Sequence, residues 1–489
     1  MPKQKRARAR AALELAGVAL LVLLAGLAPY PRAFTAAVRQ AEAHRAANEY
    51  SAALDAYRQA AELDSRSPLP WQQAGEVLLV QHRFPEAAEA FQRAAALGGG
   101  LPALLGLGES QAGDGDWAAA LEAWYRALAL APDDARVHLA LARGSVAQGQ
   151  FARAEDELAR ALALEPEPAG PPLVAGPPLV AEAHALLGRL LAGDDDDADG
   201  AAGGEAYARA LDQVRQAGDQ EMVAVLEAAA GEPDATQREL LLGAAFLRND
   251  ELSLARRHFQ RAADRDPASA EALAYLGHTL DRLGETVRAR EVLEQALALD
   301  PEAPLVYYFL GSHHRLVGNV ADAQALLWEG LLRDPDNAGL RAEMARAFEA
   351  LSDYDAAEEW YQGAVDAAPE DAGFALLRAQ FYVDHVYRIE EAGLPAAQAA
   401  VALAPSEPGA YDLLGWAYCL AGQPAEGEQA LRQALELNPD LASAHFHLGS
   451  LYARTGQADL AREHLQRAAD LDTTGYYRQR ALLLSTELP

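Results

Sequence analysis

Cysteine and lysine are almost absent from this chain of 489 residues. The single cysteine, Cys419, excludes a disulfide framework and a cluster of thiolate metal ligands. The only lysines are Lys3 and Lys5, so the rest of the chain has no amine that could form a Schiff base or act as a general base. The formal net charge is −31, and a body this acidic repels a phosphate backbone. We therefore expect no nucleic-acid partner.

Catalytic motifs are also missing. The chain contains no G-x-S-x-G nucleophile motif, no G-x-x-x-x-G-K-[ST] phosphate loop and no H-E-x-x-H zinc motif. The phrase GLGES does occur, but the pattern around it places Ser110 on a helix, not on the sharp turn that exposes a nucleophile. We expect no enzyme activity and no cofactor.

An aspartate-rich stretch is the sharpest candidate for a metal site. Asp195, Asp197, Asp199 and the following glycine match the opening D-x-D-x-D-G of a calcium loop, whose alternate carboxylates converge on one ion. The twelfth position of such a loop is a bidentate glutamate, but here it is Ala206, with Glu205 one place early. We favour an acidic surface loop without metal and keep calcium binding as the weaker alternative.

The sequence of the N-terminus predicts a membrane anchor. Residues 1–10 form a basic tail, and residues 11–29 are apolar apart from Glu14. A helix of that length rises roughly 28 Å, enough to cross a hydrocarbon core. Because the basic residues precede the span, we expect a cytoplasmic N-terminus and a body on the outer side of the membrane. A cleavable signal peptide is the alternative, but Pro29 directly after Gly26-Leu27-Ala28 is expected to hinder cleavage there.

A period of 34 residues organises the rest of the chain. A fixed period of this length, with two helical segments in each unit, indicates an array of helical hairpins. The recurring positions are Ala255, Ala289, Ala323 and Ala357; Pro267, Pro301, Pro335 and Pro369; and Gly243, Gly277 and Gly311.

The unit that begins at Ala270 shows the physical reason for each recurring type. Gly277 and Ala289 are small where the two helices touch, and Gly284 supplies the turn between them. Ala296 lets the next unit approach, and Pro301 ends the second helix. With these residues the chain resembles the tetratricopeptide repeat family over nearly everything after residue 34, in the form of a membrane-anchored bacterial protein.

The resemblance implies an all-α, right-handed superhelix of about twelve helix-turn-helix repeats, an α-solenoid. We divide it into an N-terminal block at 34–166, an irregular repeat at 167–235, a C-terminal block at 236–474 and a capping helix at 475–489. The irregular repeat contains the proline-rich 169–180 and the aspartate run, so a hinge or a pause is expected there. The tenth unit is irregular around Tyr387. The units begin near residues 34, 68, 101, 135, 181, 236, 270, 304, 338, 372, 408 and 442.

The family resemblance also implies a binding face. First helices line the concave side of such arrays, and repeat positions 2, 5, 6, 9, 12 and 13 form one stripe. Aromatic and arginine side chains there are usual anchors for a peptide, although some of the rings could instead pack between helices. No regular unit has asparagine at position 9, so we do not expect the family's clamp for chaperone tails. The predicted groove residues are Tyr275, His278, Tyr308, Phe309, Ser312, Arg315, Arg346, Asp412, Trp416, Phe446 and His447.

From this pattern we expect a membrane-tethered scaffold or adaptor that binds proteins or peptide segments, with a role in cell-envelope assembly by analogy with the family. A regulatory subunit of a membrane enzyme, such as a glycosyl-transferring complex, is one alternative. A calcium-dependent or catalytic protein is another. The sequence leaves the oligomeric state open.

Overall fold

The computed structural model describes residues 32–47, 49–164, 179–191, 202–472 and 475–488. Within these ranges the regular structure is α-helical, apart from one short π-helix, and there is no β-strand. The helices form two compact units that divide between Ala131 and Pro132. In both units most helices pair into hairpins, each of which packs on the next. The predicted domain boundaries were drawn from the repeat register and its interruption, and they stay predictions.

Over residues 32–130 the first unit contains three hairpins. They are α1 (Arg32–Ala46) with α2 (Tyr50–Leu63), α3 (Leu69–Val80) with α4 (Phe84–Ala96), and α5 (Gly100–Gly113) with α6 (Trp117–Leu130). Large rings fill the space between these helices, because Tyr57, Phe91 and Trp124 are at most 2% exposed. Burying a ring of this size stabilises the hairpin by about 2 to 3 kcal/mol.

In its described part the second unit contains nine hairpins and two further helices. With the first unit this makes twelve hairpins in the described residues, which agrees with the predicted number. In chain order the helices are α7 (Ala135–Ala147) with α8 (Phe151–Ala163), α9 (Leu179–Leu191) with α10 (Ala202–Ala217), the unpaired α11 (Gln220–Gly231), α12 (Ala235–Arg248) with α13 (Leu252–Arg265), α14 (Ala270–Arg282) with α15 (Thr286–Leu299), α16 (Pro304–Leu316) with α17 (Val320–Arg333), α18 (Ala338–Ala350) with α19 (Tyr354–Ala367), α20 (Ala372–Asp384) with α21 (Leu394–Leu403), α22 (Pro408–Leu420) with α23 (Pro424–Leu437), α24 (Ala442–Arg454) with α25 (Ala458–Leu471), and the final α26 (Tyr476–Thr486).

Small residues let the two helices of a hairpin approach. A Cβ atom on Gly277 would lie 2.5 Å from Leu293 Cγ, far inside the normal contact distance. Ala289, on the facing helix, is completely buried. The start of α14 is fixed by an N-cap, because Ser269 Oγ accepts a hydrogen bond from the Ala272 N–H at 3.2 Å. The predicted contact between the helices is confirmed.

The turn between the two helices has a left-handed residue at repeat position 15, counted with Ala270 as position 1. Gly284 has φ +79°, and the next residue, Glu285, donates its N–H to the Leu280 carbonyl at 2.9 Å. This hydrogen bond satisfies a carbonyl that the helix end would otherwise leave open. The predicted turn at Gly284 is confirmed. In the tenth hairpin the same position is occupied by Val386, with φ +50°.

Replacing Val386 with glycine should stabilise the tenth hairpin by about 1 kcal/mol, because a β-branched residue is strained in the left-handed region. The side chain is 61% exposed, so little packing is lost. The matched control is Gly284→Val, which introduces the same strain into the seventh hairpin and should destabilise it. Amide hydrogen exchange in α20 and α21 measures the stability of the tenth hairpin in the Val386 variant, and exchange in α14 and α15 measures that of the seventh hairpin in the control. Unchanged or faster exchange in the Val386 variant would contradict the strain argument.

The irregularity predicted around Tyr387 is a π-helix. Residues Ile389–Gly393 form this segment between α20 and α21, and Arg388, directly before it, has φ +42°. A π-helical turn accommodates extra residues within a helix and often lies next to a functional site. The π-helix follows α20 and leads directly into α21, so the irregularity lies in the second half of the hairpin.

Among the side chains that the structure describes, three hairpins carry a polar pair at repeat positions 4 and 23, one position on each helix. The seventh hairpin has Leu273 and Val292 at these positions. The polar pairs therefore stand where another repeat uses apolar side chains. They are His138 with Glu157 at 2.6 Å in the fourth hairpin, Glu239 with His258 at 2.7 Å in the sixth, and His445 with His464 at 3.0 Å in the twelfth.

The interrupted part of the array is bridged by direct contacts. Hairpin α9–α10 and helix α11 stand between the fourth and sixth hairpins in the chain. Ser253 Oγ on α13 nevertheless donates to the Ala147 carbonyl on α7 at 3.0 Å. Arg189 on α9 pairs with both Asp219 at 2.7 Å and Glu251 at 3.2 Å. These contacts join the helices on the two sides of the interruption, and the choice between a hinge and a pause stays a prediction.

The predicted membrane anchor, residues 11–29, lies outside the described residues, as do the basic tail and Asp195, Asp197 and Asp199. Among the helices that are described, none combines the length and the apolar character needed to span a bilayer. Membrane tethering is therefore taken up below as a proposal.

Candidate functional site

The eleven predicted groove residues all lie on first helices of the second unit. First helices α14, α16, α18, α20, α22 and α24 pack side by side, and we call the surface they form the first-helix face. The predicted residues fall into two groups on it, one on α14, α16 and α18 and the other on α22 and α24. Helix α20, which carries none of them, stands between the two groups.

In the first group, Phe309 is the centre of an aromatic cluster. Its ring centroid lies 5.3 Å from that of Tyr275, 4.6 Å from that of His278 and 5.2 Å from that of Tyr308. Phe309 is only 6% exposed, while the other three rings are half-buried. Burial, followed by the charge of Arg282, lowers the pKa of His278 to about 4, so its ring is neutral near pH 7. Ser312 lies one turn further along α16 and is half-buried.

In the second group, the polar residues pair with each other. His447 Nδ1 lies 2.7 Å from Asp412 Oδ1, and both residues are buried. Trp416 stacks on the His447 ring at 4.6 Å, and Phe446 packs 5.4 Å from Tyr477 of α26. Burial, followed by the charge of Asp412, raises the pKa of Tyr477 to about 12. Trp416 and Phe446 are half-buried, so this group can contact a partner through their rings.

Arg315 and Arg346 are held by one buried carboxylate. Glu343, 1% exposed, accepts from Arg315 Nε at 2.5 Å and from Arg346 Nη1 at 3.2 Å. Burial alone lowers the pKa of Arg346, but the nearby Glu343 carboxylate raises it above its ordinary value. The shared carboxylate fixes the positions of both guanidinium groups.

A cavity of about 430 Å³ opens beside this pair. It takes side chains from the eighth, ninth and tenth hairpins, so several repeats contribute to one site. Guanidinium, carboxylate, amide, imidazole and phenol groups stand there next to apolar walls, a mixture typical of ligand sites. The lining residues are Arg315, Arg346, Glu349, Ala350, Tyr361, Leu377, Gln380, Phe381, Asp384 and His385.

The acidic groups of the cavity differ in how they are paired. Glu349 accepts from the Tyr361 hydroxyl at 2.7 Å and lies 2.8 Å from His385 Nε2, so its two oxygens are both engaged. Burial, followed by Glu349, raises the pKa of Tyr361, which keeps the hydroxyl protonated as a donor. Burial also raises the pKa of Asp384, whose hydrogen bond to Gln380 opposes the shift. The cavity thus contains fixed donors and fixed acceptors.

Two family models match the chain. Both are described as tetratricopeptide repeat; one matches residues 111–172, 246–312 and 315–381, and the other matches 73–135 and 413–476. Together these matches cover more than half of the chain. The chain belongs to the tetratricopeptide repeat family. The family predicted from the spacing is confirmed.

Solved structures similar to this tetratricopeptide repeat chain include yeast Tom70, with 17% identity and a TM-score of 0.42 over 93% of this chain and 95% of that chain. MamA from Desulfovibrio magneticus RS-1 has 25% identity and a TM-score of 0.31 over 34% of this chain and 94% of that one. YrrB, described as a TPR protein with an unusual peptide-binding site, has 20% identity and a TM-score of 0.30 over 38% and 95%. No curated protein matches the sequence.

The cavity joins residues that the repeat pattern predicted with residues that it did not. Arg315 and Arg346 were predicted, but the five residues from the tenth hairpin were not, because the irregularity around Tyr387 made that unit's register uncertain. The structure shows that α20 keeps the regular register, so Gln380 and Asp384 occupy positions 9 and 13 of the stripe. Assigning repeat positions to the first helix alone, without fixing the second helix, would have predicted Gln380 and Asp384.

The calcium alternative concerns Asp195, Asp197 and Asp199, which lie outside the described residues. Within the described ranges, no three side chains of His, Cys, Asp or Glu are grouped so that they could hold a metal ion. The chemistry that the described site offers is recognition through charge, hydrogen bonds and ring contacts.

Proposed function

We propose that this protein is a scaffold that binds a segment of a partner protein on the first-helix face. The observation that carries the proposal is the cavity of about 430 Å³, in which three successive repeats meet. Half-buried rings flank it on both sides, with Tyr308 in the first group and Trp416 in the second. Aromatic and arginine side chains are the residue types that dominate the energy of protein interfaces.

We further propose that the scaffold is tethered to a membrane by residues 11–29, with the repeats on the outer side. The basic residues before this apolar stretch support that orientation. A role in cell-envelope assembly follows from the tether and rests on analogy. Fractionation tests the tether: the full chain should sediment with membranes, and a chain that begins at residue 32 should not. Sedimentation of both would overturn this part of the proposal.

Binding on the first-helix face is tested by replacing Tyr308, Gln380 and Trp416 together with alanine in the full chain. We expect capture of partners to fall about tenfold or more, because half-buried aromatic anchors carry much of the binding energy. Phe309 is left unchanged, since it is 6% exposed and its removal would unfold the site. Quantitative mass spectrometry of proteins co-purified in detergent measures the change.

The matched control is Trp328→Ala with Gln295→Ala, which removes exposed side chains of the same kinds from second helices. This control should capture partners normally. Equal losses in both variants, or undiminished capture by the triple variant, would show that partners dock elsewhere. Capture of one stoichiometric membrane enzyme would instead favour the regulatory-subunit alternative.

A further inference from the structure

Arg315 and Arg346 are arranged to bind more than Glu343. A guanidinium group has five N–H donors, and each of these two uses a single nitrogen on Glu343. Neither has another acceptor among the described residues. The two side chains are 19% and 38% exposed, and both line the cavity. Each therefore has donors left for a ligand, held in position by the buried carboxylate.

The local charge selects the kind of ligand. Two guanidinium groups against one carboxylate leave a charge of one positive unit. Glu349 is engaged by Tyr361 and His385, and Asp384 adds a further negative charge to the wall of the cavity. The arginine pair attracts an anionic group that reaches the guanidinium groups directly, and the carboxylates of Glu349 and Asp384 weaken this attraction for anions placed elsewhere in the cavity. A carboxylate also matches the planar fork of arginine.

We propose that Arg315 and Arg346 recognise the side-chain carboxylate of an aspartate or glutamate in the bound segment, a proposal that rests on the proposed function. An apolar neighbour of that residue packs on Leu377, the half-buried apolar side chain of the cavity wall. The first-helix face continues on both sides of the cavity, through α14 in one direction and α22 and α24 in the other. A bound segment can pass through, so the acidic residue lies within the segment and not at its end.

The test uses the full chain in detergent and peptides selected by phage display from random twelve-residue segments. The best binder is synthesised with acetylated and amidated ends, so that its only carboxylates are on side chains. We expect it to contain an acidic residue next to an apolar one, and the change of that glutamate or aspartate to its amide should weaken binding about tenfold or more, measured by fluorescence anisotropy.

Variants of the chain locate the effect. Arg346→Gln should weaken binding of the acidic peptide about tenfold and leave the amide peptide almost unchanged, because only the first makes the charged contact. Glu343→Gln keeps both cations but releases them from their anchor, and it should reduce the same preference. The matched control is Arg282→Gln, on α14 of the same face and paired with Asp250, which should keep the preference.

The possible outcomes separate the inference from the function on which it rests. Peptides that bind equally well as acid and amide would overturn the carboxylate site and leave the scaffold proposal standing. A stronger preference for a free C-terminus, or for phosphoserine in place of glutamate, would also overturn it. If no peptide is selected, binding of segments fails and the inference fails with it. If an arginine variant does not fold, the affinities of the unmodified chain for the acid and amide peptides still test the carboxylate site.

Discussion

Replacing His258 with alanine is expected to lower the free energy of unfolding of the sixth hairpin by about 3 to 5 kcal/mol, because it breaks a buried pair. His258 is 0% exposed and Glu239 3% exposed, and His258 Nδ1 donates to Glu239 at 2.7 Å. Burial lowers the pKa of His258, although the hydrogen bond to Glu239 opposes this, so the ring is a neutral donor. The variant leaves Glu239 buried with Arg265 3.6 Å away, and it opens a cavity beside Phe246.

The repeat itself supplies the control for this prediction. Glu239→Leu combined with His258→Val copies Leu273 and Val292, which occupy the same positions in the seventh hairpin. Because a buried polar pair can be replaced by well-packed apolar residues at little cost, the double variant should recover to within about 1 kcal/mol of the unmodified chain. Amide hydrogen exchange in α12 and α13 reports on this hairpin alone. A double variant as unstable as the single one would show that the pair is not the cause.

Much of the fold could be predicted from the sequence because the repeat constrains it many times over. Gly277 must be small where it meets Leu293, and Gly284 must turn with positive φ, so a shift of one residue would break both requirements. The same conditions recur every 34 residues. An error in placing one unit on the sequence is therefore revealed by the neighbouring units. The first helices begin close to the predicted positions even in the tenth hairpin.

The site could be predicted only in part, because a residue's position in the repeat does not reveal how deeply its side chain is buried. Phe309 and His447 lie on the predicted helices, yet both are buried by neighbouring first helices, which depends on how the hairpins pack. The polar pairs at positions 4 and 23 were also missed. A histidine and a glutamate 19 residues apart, as in His138 and Glu157, are visible in the sequence once these positions are known to face each other.

The charge distribution links the fold to its proposed use. The chain is strongly acidic overall, so it repels acidic partners at a distance. Arg315 and Arg346 form a local positive site that is fixed by Glu343 inside the array. A partner carboxylate gains from this site only when the rest of the segment fits the first-helix face. Such an arrangement favours selectivity over simple electrostatic attraction.

The twelfth hairpin contains a histidine pair that makes its stability depend on pH. His445 Nε2 lies 3.0 Å from the Pro439 carbonyl, to which it donates. Its Nδ1 is then free of hydrogen and accepts from His464 Nδ1, 3.0 Å away. Burial lowers the pKa of His445, and burial followed by the neighbouring His445 lowers that of His464 to about 4. Both rings are therefore neutral in the folded state.

As the pH falls from 7.5 to 5.5, the twelfth hairpin should lose about 1 kcal/mol of stability through this pair, after allowance for its partial contact with water. The unfolded chain takes up protons near pH 6.5, whereas folded His464 does so only near pH 4, so the stability is present above pH 6.5 and is lost towards pH 4. His445→Leu with His464→Val, the residues of the seventh hairpin, should remove this loss. Hydrogen exchange in α24 and α25, corrected for the intrinsic effect of pH, measures both proteins above their pI of about 4.7. An equal loss in the variant would assign the pH dependence to carboxylates elsewhere in the hairpin.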